Sequence, residues 1–146
     1  MDVLYQAETD LQPIVEGFER CDFKLEEFTH ARHLTVAACY LATFPFDEAL
    51  ARMRMGLQRF IAHQGKQGYH ETITRFWMEV ISRFLTGVPE DASIAESVNE
   101  VIARYGTKDI LFEYYSRERV MSEIARREWV EPDLKSLPPS GKRKRG

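Results

Sequence analysis

Hydrophobic positions recur at three- and four-residue intervals along almost the whole chain, and no stretch keeps the two-residue alternation of a half-buried strand. The pattern predicts an all-α protein. A first helix is expected over residues 8–20, opened by Thr9 or Asp10, with Pro13 tolerated in its first turn. Residues 21–28 read as a connector. Thr29 is placed to cap a helix over 30–44, whose stripe is Leu34, Ala37, Tyr40, Leu41 and Phe44, and Pro45 ends it. Asp47 is the expected cap of the next helix, which turns Leu50, Met53, Leu57, Phe60 and Ile61 inward and runs to about residue 63, before Gly65 and Gly68.

The clearest helical signal covers residues 69–85, where Ile73, Phe76, Trp77, Val80, Ile81, Phe84 and Leu85 share a face that Gly87 and Pro89 terminate. Ser93 and Glu96 have capping-box spacing ahead of a helix that Gly106 closes. Thr107 opens a short aromatic helix. Ser116 is the expected cap of a last helix reaching Trp129, with Val120, Met121, Ile124 and Ala125 facing the core, and Pro132 ends regular structure. Short connections favour antiparallel neighbours, so the expected architecture is an up-and-down bundle of about six helices. One helical domain over residues 1–138 and a disordered basic tail over 139–146 complete the division.

A chain of 146 residues that is 44% apolar and 29% charged has the composition of one globular domain. Such a domain buries about two-thirds of its unfolded surface and needs no metal or disulfide for stability alone. Cys21 and Cys39 are too few for a disulfide framework. The net charge of −3 conceals an asymmetry, because Lys142, Arg143, Lys144 and Arg145 leave −7 on residues 1–140. A body that acidic is a poor nucleic-acid binder, and the tail reads as a solubilising end or a docking signal. No run approaches a membrane span and the first residues lack the features of a signal peptide, so a cytoplasmic location without a membrane partner is expected.

Candidate chemistry centres on histidine. His30 and His33 fall within the stripe of the second helix and His70 within that of the 69–85 helix, whereas His63 lies off its helix's inner face. In an up-down bundle those two helices run parallel and start at the same end, so the three inward imidazoles are expected to converge. Three neutral imidazoles with an open position suit one divalent transition metal, zinc, iron or nickel. Glu27 stands three residues before His30, but a second Glu-x-x-His is absent, which argues against a di-metal centre. Around the ion, Glu71 and Tyr115 are the candidate proton-transfer groups. Tyr69, Thr74, Trp77 and Arg117 are the candidate substrate contacts, and Phe28 adds to the aromatic lining. Walker, dinucleotide-glycine, GxSxG and HExxH signatures are missing.

Three segments carry a resemblance: FTHARHLTVAACYL, GYHETITRFW and YYSRERVMSEIARREWVEPDLKSLP. They resemble a family of small bacterial all-helical proteins with F-x-H-x-x-H-L, Y-H-E-T and Y-Y-S-x-E segments, matched here by His30, His33, Tyr69, His70, Glu71, Thr72, Tyr114, Tyr115 and Ser116. The resemblance implies a helical fold and singles out these residues without implying an activity. In architecture alone the expected bundle is similar to the metal-binding DinB/YfiT-like proteins, whose sequence pattern it does not reproduce.

Two functional expectations follow. One is a small-molecule enzyme with a mononuclear metal held by His30, His33 and His70, performing hydrolysis, group transfer or oxygen chemistry. The other is a non-enzymatic helical module that binds a ligand or partner, its histidines forming a structural hydrogen-bond network. A homodimer is compatible with either.

Overall fold

The computed structural model describes residues 4–140. Among them are eight α-helices and no strand. They are α1 (Gln12–Glu19), α2 (His30–Thr43), α3 (Phe46–His63), α4 (Glu71–Leu85), α5 (Ile94–Tyr105), α6 (Leu111–Tyr114), α7 (Arg117–Val120) and α8 (Glu123–Arg127), with short 3-10 turns at Glu8–Asp10, Leu25–Glu27 and Lys108–Ile110. The all-α architecture is as expected, and none of these helices is long and apolar enough to cross a membrane. Lys142, Arg143, Lys144 and Arg145 of the expected basic tail lie outside the described residues.

Helix α2 is the hub, packed against α1, α3, α4 and α5. Its buried Leu34, Val36, Ala37 and Ala38 include two short side chains that let neighbouring helices approach closely. Thr35, also buried, donates to the carbonyl of Ala31 at 2.8 Å and shares a 2.9 Å hydrogen bond with the Tyr5 hydroxyl, so its polar atom is satisfied.

Capping chemistry sets the helix starts. Thr29 accepts from the N–H of Arg32 and Ser93 from that of Glu96, as expected. Helix α3 starts two residues earlier than expected, with Pro45 rather than Asp47 at the cap, because proline fixes φ and its extended ψ turns the chain into the helix. The expected first helix divides into the Glu8–Asp10 turn and α1. The expected last helix breaks too, since Ser122 caps a new start by accepting from the N–H of Ala125. In consequence Val120 and Ala125 are buried, but Met121 and Ile124, expected inside, are 55% and 56% exposed.

Beyond α8 the chain is irregular but anchored, and it follows α4. Thr72 donates to the carbonyl of Glu128 and accepts from the N–H of Val130, while Arg83 donates to the carbonyl of Pro138. Asp133 accepts from both the N–H and the hydroxyl of Ser116.

Aromatic packing closes the other side. Phe18 is fully buried, stacked on Phe28 at 4.9 Å and beside Phe60 at 6.1 Å. Gly56 on α3 makes room for it, because a Cβ there would stand 2.5 Å from the Phe18 ring. Gly56→Ala gains roughly 1 kcal/mol of helix propensity but overpacks a ring with nowhere to move, at a cost of about 1–3 kcal/mol. A lowered thermal midpoint of the variant is the expected outcome in a calorimetric scan.

Candidate functional site

Helix α4 begins at a histidine that works as its cap. Nδ1 of His70 accepts from the N–H of Ile73 at 3.1 Å, so the ring proton sits on Nε2, which donates to the carbonyl of Val120 at 2.6 Å. Both nitrogens are thereby committed. Burial holds its pKa below the ordinary histidine value, in keeping with the neutral form.

His30 and His33 sit elsewhere. His30 donates from Nε2 to the carbonyl of Tyr105 at 3.0 Å and meets the Trp77 ring edge-on at 4.7 Å. Trp77 lies two turns beyond His70, roughly 10 Å along the α4 axis. His30 therefore meets α4 at Trp77, two turns into the helix, and not at the helix start where His70 is the cap. His30 and His33 remain neighbours with ring centroids 6.3 Å apart. Among the described residues no three His, Cys, Asp or Glu side chains are grouped to hold a metal ion. The structure thus lends no support to the three-histidine site expected at a shared bundle end. His63, at the exposed end of α3, is a surface residue as expected.

The remaining candidates separate. Tyr115 is fully buried and donates its hydroxyl to the carbonyl of Val130 at 2.6 Å, and burial pushes its pKa up, which suits a strut and not a proton shuttle. Thr74 returns its hydroxyl to the carbonyl of His70 at 2.8 Å, inside α4. Trp77 is core, and Phe28 belongs to the aromatic cluster on Phe18. Arg117 lies over the Phe112 ring at 4.4 Å.

Tyr69 and Glu71 do come together, in an open cleft of about 640 Å³ between α3, α4 and α8. Glu71 accepts two hydrogen bonds from Arg54, from Nε at 2.8 Å and Nη2 at 2.6 Å, and a third from the Tyr69 hydroxyl at 2.7 Å. Arg54 first, then Tyr69, holds its pKa below the usual carboxylate range, against the opposing effect of burial. A carboxylate so fully engaged is a weak base; it orients the arginine instead.

Arg75, Arg126, Arg127, Gln58, Glu128 and Trp129 complete the walls, and Arg75 lies 4.9 Å over the Trp129 ring. Arg126 and Arg127 share one carboxylate, Glu123, at 3.9 and 3.3 Å. Sequence reasoning missed the arginines. Arg54 with Gln58, and Glu71 with Arg75, repeat at four-residue spacing on helices, a signal that marks a shared polar face without saying what it faces. No family model, curated protein or solved structure matches this chain.

His33 supplies a testable electrostatic consequence. Its Nε2 is sealed from solvent without a partner, beside the Phe28 ring, and burial with the nearby His30 and Lys108 lowers its pKa to about 4. The unfolded chain therefore takes up this proton first as pH falls. Stability is unaffected above pH 6.5, declines between 6.5 and about 4, and loses on the order of 3 kcal/mol in all from this group. His33→Leu is expected to reduce the drop in urea midpoint between neutral pH and pH 4.5, leaving the smaller contributions of His30 and His70.

Proposed function

We propose that this chain is a non-enzymatic helical binding module, in which the histidines hold the bundle together and the cleft between α3, α4 and α8 receives a small ligand carrying an acidic group. The observation that carries this reading is the guanidinium of Arg54, oriented at the cleft by a bidentate carboxylate. Nε and Nη2 are spent on Glu71, which itself is steadied by Tyr69, and Nη1 stands outside that pair. An arginine fixed beforehand loses little side-chain freedom when a ligand arrives. Arg126 and Arg127, with one carboxylate between them, offer a second point of attachment. A volume of about 640 Å³ is of the size that small-molecule sites have.

One observation speaks for the metal-enzyme reading: the unpartnered Nε2 of His33 near His30. Burial is the main cause of the lowered pKa of both rings, but the positive field of Lys108 adds to it and works against a cation there, and His70 would have to abandon two hydrogen bonds to join them.

Thermal-shift titrations with succinate, citrate and inorganic phosphate test the proposal. At least one of the three is expected to raise the midpoint of the wild type and to lose that effect in the Arg126→Ala/Arg127→Ala variant, whose altered side chains are both exposed. His70→Ala is expected to lower the midpoint by removing a cap worth about 1 kcal/mol and to weaken the ligand response, because α7 and α8 are seated through that side chain. No response to any of the three, or an equivalent of transition metal in the purified wild type that His70→Ala loses, defeats the reading.

A further inference from the structure

A second surface has the opposite character. Between α1, the C-terminal half of α2 and the start of α5 runs a groove of about 330 Å³. Val15, Phe44 and Ile94 give it an apolar floor, and Glu8, Glu16 and Glu19 form its rim. No lysine or arginine lines it.

The rim carboxylates have no direct cationic partner among the described residues, although the charges of Arg59 and Arg52 reach Tyr40 on the groove wall. In the α3–α4–α8 cleft the arginines are paired with Glu71, Glu79 and Glu123. Among the described residues no ion pair includes Glu8, Glu16 or Glu19, and the one hydrogen bond any of their carboxylates accepts comes from the Tyr40 hydroxyl to Glu19 at 2.6 Å. Arg52 lies 4.0 Å over the Phe44 ring, but its charge is taken by Glu48 at 3.0 Å. The carboxylate field reaches the groove wall, where burial and then Glu8 push the Cys39 thiol up to about 11.

We propose that this groove binds a small organic cation with an apolar body, an amine whose charge meets the rim carboxylates while its hydrocarbon part covers Val15, Phe44 and Ile94. Two features decide against other occupants. A metal ion needs its carboxylates gathered within one coordination sphere, and these are not so grouped. An anion would face three negative charges, whereas a purely apolar ligand would leave the rim unmatched. The site is separate from the α3–α4–α8 cleft and stands or falls independently of it.

The test is titration of the full chain with 2-phenylethylamine at neutral pH and low salt, followed by amide NMR, with phenylacetate as the same ring of opposite charge. The amine is expected to shift amides of α1 and of residues 39–44, and phenylacetate to leave them in place. Glu8→Gln/Glu16→Gln alters two exposed residues without ion-pair partners, so the fold is preserved, and amine affinity is expected to fall about tenfold. Equal response to both probes, shifts centred on α4 and α8, or undiminished binding by the double variant overturns the proposal. So does a basic amphipathic peptide that occupies the groove when the amine does not, since the site would then belong to a protein partner.

Discussion

The fourth helix cannot start without a partner for its first free N–H groups, and His70 provides one at the expense of its own freedom. By accepting from Ile73 through Nδ1 it fixes its proton on Nε2, and that proton reaches across to the carbonyl of Val120 at the end of α7. Two residues on, Thr72 uses a single oxygen to hold both Glu128 and Val130. These contacts seat α7, α8 and the segment that follows against the start of α4. The cleft depends on them, because Arg126, Arg127 and Trp129 form a wall only where α8 is held beside Glu71.

The same bonds explain why a residue type suggestive of catalysis serves the fold here. A neutral imidazole offers one donor and one acceptor that point in divergent directions from a flat ring, so it bridges two backbone groups that a shorter side chain would leave apart. His30 does a related task at Tyr105, tying the first turn of α2 to the end of α5. His33 has no such bond, and it is the histidine whose proton affinity falls to about 4.

Much of the fold was legible because its signals are local. The apolar stripe of α4, the Thr29 cap and the Ser93–Glu96 box each need only a few consecutive residues, and each stands where the pattern put it. The break at Ser122 was not legible, since a serine between apolar positions reads equally as a polar face or a new cap until its surroundings decide. That His30 meets α4 at Trp77, two turns into the helix, was hidden, because periodicity carries no information about the position of one helix along another. Tyr69 and Glu71 were found from one segment. Arg54 and Arg126 belong to distant ones, so no spacing rule could join them to the pair.

The lengths of α6, α7 and α8 carry a consequence of their own. Four or five residues make barely one helical turn, too few to overcome the nucleation cost of a free helix. This C-terminal segment therefore has no autonomous stability and borrows its order from α4 through His70, Thr72 and Arg83. The cleft, one wall of which is α8, is complete only when this segment is docked. In the folded protein the same region is the natural unit of partial opening, and a ligand held by the proposed cleft would favour its closed form.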